Sequence, residues 1–266
     1  MRSDAPRRER PYQLRNDVSK SPRNPFAEAV LARVAFPPQA FIVDLACGLG
    51  RPSLEIAVLH PAASVLGVDI APEMIGQARK LAAAGAIANA RFEVMNIDDL
   101  AIASASADAA VSLFGLLQVG DPVRSIGEMA RILKAGGEFS VAAYDDMRQH
   151  TLLSAALPVL SQYATDELTP PYMTIEPRAQ TQMLLDAGLT ALETQIFHCV
   201  IPFPSFEAIW QMLSSPQMFA RVIATLGDEA TAEAKAELLR VLARFEKDPA
   251  GAYEFPFSCR ISWGRR

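Results

Sequence analysis

Asp44, Gly48 and Gly50 stand close together in the run Phe41-Ile42-Val43-Asp44-Leu45-Ala46-Cys47-Gly48-Leu49-Gly50. Their types and spacing suit the capture of a small charged ligand by main chain. An apolar run closes on a carboxylate, a loop of small residues follows, and a helical pattern begins at Pro52. A buried parallel strand hands over to a helix in this way. Residues without bulk let a ligand lie almost on the backbone, where a Cβ would collide. The free N–H groups at the helix start face that ligand. The stretch reads as a nucleotide-type cofactor pocket at the edge of a doubly wound sheet. The dinucleotide fingerprint G-x-G-x-x-G is incomplete, because Ser53 stands where the third glycine would be. Asp44, ahead of the glycines, suits a cofactor with a cationic ammonium and no pyrophosphate. An NAD-dependent oxidoreductase is disfavoured on both counts.

The elements that follow repeat the strand-then-helix order. Ser64–Asp69 reads as a second strand closing on a carboxylate, which can accept both ribose hydroxyls of an adenosine. Asp69 comes 25 residues after Asp44, one β-α-β step. The alternative for Asp69 is a carboxylate near a helix N-terminus, since Pro72 sits where a helix can begin. Further strands are expected at Ala90–Met95, Asp108–Leu113 and Glu138–Tyr144. A helical pattern over Ile126–Lys134, closed by a basic residue and a Gly-Gly turn, leads into the last of these.

At this point the chain resembles the class I methyltransferases that use S-adenosyl-L-methionine. Their first motif runs acidic-x-Gly-x-Gly-x-Gly. Here Ala46 replaces the first glycine, and Gly48 and Gly50 keep the other two. An alanine at that position is expected to hold a negative φ. The block Ile126–Tyr144 and the Phe114-Gly115-Leu116 run are similar to the ubiquinone/menaquinone C-methyltransferase-like branch. The resemblance covers residues 40–145 well and Ser258–Arg266 more weakly. It implies a doubly wound, mostly parallel seven-stranded α/β sheet of the Rossmann-like methyltransferase type. It implies that Asp44, Ala46, Gly48 and Gly50 hold the methionine end. Asp69 and Ile70, with Met74 just beyond them, would hold the ribose. Asn96 and the Ile97 N–H would read the adenine edge, with Asp98 the alternative if the register slips by one. Leu113 and Phe114 would form the floor beneath the sulfonium.

Methyl transfer from a sulfonium is an in-line displacement, and holding donor and acceptor in line removes much of the barrier. A general base is needed only where the nucleophile keeps its proton at neutral pH. The sequence carries no catalytic triad and no paired metal-ligand motif. Polar groups that could meet an acceptor follow strands four and five: Gln118, Tyr144, Asp145 and His150. His150 is the first candidate for a base, against a solvated loop histidine. His198, within an apolar strand, reads as a core histidine, and His60, beside Pro61, as a solvated one.

The remaining organisation bears on the acceptor. Half of the 266 residues are hydrophobic and the net charge is −5, so no nucleic-acid surface is implied. Cys47, Cys199 and Cys259 are scattered, which suggests a reducing, cytoplasmic setting. No apolar run reaches the ~20 residues of a membrane span. Residues 1–24 read as a mobile arm, or as a lid that brings Tyr12 or Arg15 over bound cofactor. Residues 25–204 and 253–266 read as the cofactor-binding core. Between them, 205–252 reads as a helical cap leaving from the ligand-binding edge of the sheet. Ser205 would cap its first helix. Phe203, Phe206, Trp210 and Phe219, at helical spacing, suit a core; Phe203, Phe206, Trp210 and Tyr172 are the candidates to line the acceptor pocket. Met173, Met212 and Met218 would add adaptable packing. The expected function is methyl transfer to a small, fairly apolar acceptor such as a quinone precursor, polyketide, terpenoid or indole. Two alternatives stand beside it: a sulfonium-assisted cyclisation or rearrangement, and a non-catalytic cofactor-binding module. A homodimer is compatible with the sequence.

Overall fold

The structure is a computed structural model that describes residues 25–117, 121–145, 151–164, 175–214, 219–247 and 251–266. Seven strands form one sheet: β1 (Phe41–Leu45), β2 (Ser64–Asp69), β3 (Ala90–Val94), β4 (Ala107–Leu113), β5 (Leu133–Tyr144), β6 (Thr190–Phe203) and β7 (Tyr253–Arg265). Their order is β3-β2-β1-β4-β5-β7-β6. The first five pair in parallel, and β7 runs antiparallel between β5 and β6. β1 and β4 lie in the middle and bury nearly every residue, as strands covered on both faces must.

The helices are α1 (Pro25–Leu31), α2 (Arg51–Leu59), α3 (Pro72–Ala84), α4 (Pro122–Ile132), α5 (Thr151–Leu160), α6 (Pro177–Asp186), α7 (Phe206–Leu213), α8 (Ala220–Ile223) and α9 (Asp228–Leu242). Helices α2, α3, α4 and α6 have a proline in the first turn, where its missing N–H breaks no bond. Asp121 caps α4 by accepting from the N–H groups of Val123 and Arg124. Val43, Leu45, Val68, Met129, Val141 and Leu184 form the core on the α4 and α6 side. Phe26, Val30, Ile42, Ile56, Val65, Val111 and Ile261 form the core on the α1 and α2 side. Phe92 is the hub of a third cluster with Leu54, Ile75 and Ala78, beneath α2 and α3.

The β6–β7 hairpin is longer than the sheet that carries it. β5 stops pairing at Tyr144↔Cys259, while β6 and β7 continue from His198↔Ser258 to Phe203↔Tyr253. The overhang of six pairs rises roughly 20 Å past the carboxyl ends of the parallel strands. β6 runs through Pro202 and ends at Phe203. Pro202 is tolerated because β6 is the edge strand, and Pro256 because β5 has already ended beside it. Helix α1 stops at Leu31, ahead of the Pro37-Pro38 pair.

The overhang carries a separate apolar cluster. Tyr253 and Phe255 of β7 pack with Trp210 and Leu213 of α7, Leu238 and Leu242 of α9, and Leu152, Ala156 and Leu160 of α5. Ser205 caps α7 through a bond from the Ala208 N–H at 3.2 Å. Helix α5, the next described helix after β5, belongs to this cluster and lies against α9.

Candidate functional site

The donor loop is built on the end of β1. Asp44 is fully buried, and its Oδ2 accepts from the Ser53 hydroxyl at 2.6 Å and the Ser53 N–H at 3.1 Å. Its Oδ1 is buried without a hydrogen-bond partner. Burial pushes the Asp44 pKa up to about 7; the Ser53 bonds oppose the rise and the nearby Asp69 charge adds to it. A buried carboxylate oxygen left unpaired is costly to the fold, and a cationic ligand group would relieve it.

Ala46, Gly48 and Gly50 all lie in the left-handed region, with φ of 54°, 53° and 74°. The negative φ expected for Ala46 is therefore wrong. The chain holds the alanine in the conformation that glycine would take, because the loop is tied on both sides. The Cys47 N–H donates to Val68 O at 2.9 Å and the Gly50 N–H to Cys47 O at 2.8 Å. The two glycines differ in purpose. A Cβ on Gly48 would meet nothing within 4 Å, so this glycine faces open space. A Cβ on Gly50 would come within 2.7 Å of the Phe92 ring and 3.0 Å of Ala78. Gly50 serves helix-to-strand packing.

Asp69, at the end of β2, accepts from the Gly48 N–H at 2.8 Å and the Ala71 N–H at 3.0 Å. It is not the cap of α3, whose N-cap is Ala71. Each oxygen keeps a further acceptor direction. Ile70 beside it is 64% exposed, a large apolar side chain at the sheet's ligand edge. Met74 is half-buried in the first turn of α3.

Beyond β3, Asn96 is exposed and its Oδ1 accepts from the Asp98 N–H at 3.0 Å. The Ile97 side chain is buried in the core, so only its main chain could meet a ligand. Asp98 accepts from the Asp121 N–H and the Ser125 hydroxyl. It anchors the start of α4, which leaves Asn96 as the freer polar group.

The carboxyl ends of β4 and β5 carry an aromatic cluster. Phe114, with φ of 61°, sets its ring 5.0 Å from Tyr144, 5.2 Å from Phe26 and 5.8 Å from Phe257. Phe26 and Phe257 lie 4.7 Å apart. Phe114, Tyr144 and Phe257 stay half-buried, and Leu113 packs against the core below. The sequence does not point to Phe26 or Phe257. The only signals were an aromatic residue next to Pro25 and the alternation of β7. On the opposite face of the sheet Asp145 pairs with Arg260 at 2.6 Å, both largely buried.

The cap aromatics are placed elsewhere. Trp210, 7% exposed, sits in the cap's own core beneath Lys235, and Phe203 and Phe206 pack against the same cluster. The rings at the sheet edge are a different set, from α1, β4, β5 and β7. His198 is exposed and not a core residue, because it sits on the overhanging part of an edge strand. His60 stacks edge-on against Phe36 at 4.7 Å and so is not simply solvated. Tyr12, Arg15, Gln118, His150, Tyr172, Met173 and Met218 lie outside the described residues. Among the described residues no group of three or more His, Cys, Asp or Glu could hold a metal, and no helix is long and apolar enough to cross a membrane.

A seven-stranded sheet of this order, with a carboxylate at the end of each of its first two strands and an open glycine between, defines the class I methyltransferase fold. A family model described as a methyltransferase domain matches residues 38–188, and the chain belongs to that family. Trans-aconitate 2-methyltransferase of Deinococcus radiodurans is 30% identical over 195 residues, 69% of this chain and 72% of that protein. Ubiquinone/menaquinone biosynthesis C-methyltransferase UbiE of Geotalea daltonii is 30% identical over 118 residues, 44% of this chain and 50% of that protein. The chain thus spans about half the length of the quinone-type curated relatives it matches. Phosphoethanolamine N-methyltransferase 2 of Haemonchus contortus, solved in complex with S-adenosyl-L-methionine, shares the fold. Its TM-score is 0.59 and its identity 14%, over 91% of this chain and 52% of that one. By fold and family the chain stands among the methyltransferases.

Proposed function

We propose that the protein transfers a methyl group from S-adenosyl-L-methionine to a small, largely apolar acceptor, aromatic or polyene in character. The observation that carries the acceptor class is the half-buried cluster of Phe114, Tyr144 and Phe257 over Phe26, at the sheet edge beside the donor loop. Such a surface stacks apolar rings and offers little to a polyanion.

The residues present fit the donor. Asp44 Oδ1 is a buried acceptor without a partner, suited to an ammonium group. Gly48 leaves room on the main chain. Asp69 braces that glycine and keeps acceptor capacity for ribose hydroxyls. Ile70 offers an apolar face, and Asn96 with the Ile97 main chain offers an edge for adenine. When bound, the sulfonium supplies an electrophilic methyl group and departs as a neutral thioether. The chain's own task is then to fix the acceptor in line and exclude water. Phe114 and Tyr144 would do the first, and the cap on the β6–β7 overhang the second. We place the protein in the cytoplasm, with the cap 205–252 as a unit separate from the core; the proposed arm 1–24 lies outside the described residues. A homodimer stays an expectation.

The test is to incubate the protein with S-adenosyl-L-methionine and a panel of naphthols, quinols, indoles and polyenes, following product mass and S-adenosylhomocysteine. Gain of one methyl mass on an apolar acceptor supports the reading. A rearranged product of unchanged mass would support the cyclisation alternative. Methylation confined to polycarboxylates or RNA would sink the apolar acceptor, and failure to bind either adenosyl ligand would favour a module without catalysis.

A further inference from the structure

We infer that Ala46 and Gly115 are a matched pair that fixes the turn after β4 against the donor loop, and so sets where the Phe114 ring stands. Its meaning for the acceptor rests on the function proposed above. A Cβ built on Gly115 would lie far inside van der Waals contact with the Ala46 Cβ, and 3.3 Å from the Ala46 carbonyl oxygen. There is room for one methyl group between the two main chains, and residue 46 supplies it. Both sides of the contact are held in unusual conformations, Ala46 with φ of 54° and Phe114 with φ of 61°. A bulky side chain in that region persists only where its surroundings over-determine it.

The Ser112 hydroxyl donates to Leu45 O at 2.8 Å and accepts from the Leu116 N–H at 3.0 Å. One buried hydroxyl thus ties the residue before Ala46 to the residue after Gly115. The Phe114 N–H donates to Ala142 O at 2.9 Å, which fastens the same turn to β5. Between these bonds the Ala46 methyl is a wedge. A shift of the donor loop at residue 46 is passed to the turn that carries Phe114, and Phe114 is the ring that joins Phe26, Tyr144 and Phe257. Where the motif elsewhere has glycine at the first position, this chain has moved a methyl in and kept residue 115 bare to receive it.

The test is a double-mutant cycle with Gly115→Ala, Ala46→Gly and the double variant. Two readouts are taken: S-adenosylhomocysteine affinity by calorimetry, and binding of 2-naphthol to the protein saturated with that ligand. Gly115→Ala is expected to weaken S-adenosylhomocysteine about tenfold or more, and the double variant to return to within about threefold of the original chain. If Gly115→Ala fails to fold, the double variant must fold and bind, and its failure overturns the inference. Additive effects overturn it too. So does a Gly115→Ala protein that melts earlier yet keeps its affinities within about twofold, since a merely structural contact behaves that way. A coupled cycle in an original chain that does not bind naphthol removes the apolar acceptor and leaves the pair standing.

Discussion

Asp44 is a carboxylate that the ligand-free fold would rather keep protonated, and this has a measurable sign. Its pKa stands at about 7 against an ordinary 3.8, because burial outweighs the two Ser53 bonds. Between those two values the folded chain binds more protons than the unfolded chain. Stability from this group is therefore full below about pH 4 and lost as pH rises to about 7. The loss amounts to as much as about 4 kcal/mol, at roughly 1.4 kcal/mol per pH unit. Asp44→Asn keeps an acceptor for Ser53 and removes the charge. Denaturant midpoints of the two proteins should coincide near pH 4 and diverge in favour of the variant towards pH 8. Taking the difference between the two cancels the other titrating groups. Ligand binding should show the opposite dependence. A cationic ammonium beside Oδ1 favours the ionised form, so binding below about pH 7 must expel a proton. S-adenosylhomocysteine affinity should fall about tenfold per pH unit below that point. Calorimetry in two buffers of different ionisation enthalpy would count the proton. Asp44→Asn should bind weakly and without this slope. Affinity that stays flat from about pH 5.5 to 7.5 in the original chain would refute the assignment of Asp44 to the ammonium.

Other consequences follow from the same contacts. Gly48→Ala meets only left-handed strain, about 1 kcal/mol in the denaturant midpoint, but fills the open cradle and should abolish measurable S-adenosylhomocysteine binding. Gly50→Ala carries the same strain and also drives a methyl into Phe92, so about 2–4 kcal/mol of stability should go; equal midpoints for the two variants would contradict the division of roles. Asp69→Ala frees the Gly48 N–H and removes the ribose acceptor, and should weaken S-adenosylhomocysteine by roughly 2–3 kcal/mol in calorimetry. Asp145→Ala strands the largely buried Arg260 and should lower stability by about 3 kcal/mol. Asp145→Ala with Arg260→Met should recover most of that in chemical denaturation.

The parts of the fold that were legible are those where local pattern and tertiary burial coincide. β1 reads as an apolar run because it is covered on both faces, and Asp44 and Asp69 stand out because each ends such a run. Ser53 was less visible, although it is the only side-chain partner Asp44 has among the described residues. A serine in the first turn of a helix has many uses, and only the buried carboxylate facing it reveals this one. The φ of Ala46 was misread because propensity favours a negative value, while the Val68 and Cys47 bonds and the Gly115 contact impose the other. Trp210 and Phe206 carry a clear helical stripe, but a stripe says that a face is covered and not by what. A covering element is α9, whose Lys235 lies over Trp210 and pairs with Glu207.

The length of the β6–β7 hairpin links these observations. β7 alternates Tyr253, Phe255, Phe257, Cys259 and Ile261 along one face. The first two belong to the cap core, the third to the aromatic cluster, and the last two to the core over α1. One strand face therefore runs from the cap through the proposed acceptor floor into the body of the sheet. A cap mounted on that strand moves only if the overhang bends, and the pairing from His198↔Ser258 to Phe203↔Tyr253 resists bending. Cap position and floor position are in this way set by the same six residue pairs. Changes in acceptor size should then be absorbed at Phe257, where the strand leaves β5, before they are absorbed in the cap helices. Acceptor profiles that respond to Phe257→Ala more than to Trp210→Phe would bear this out, and the reverse order would place the wall of the chamber in the cap.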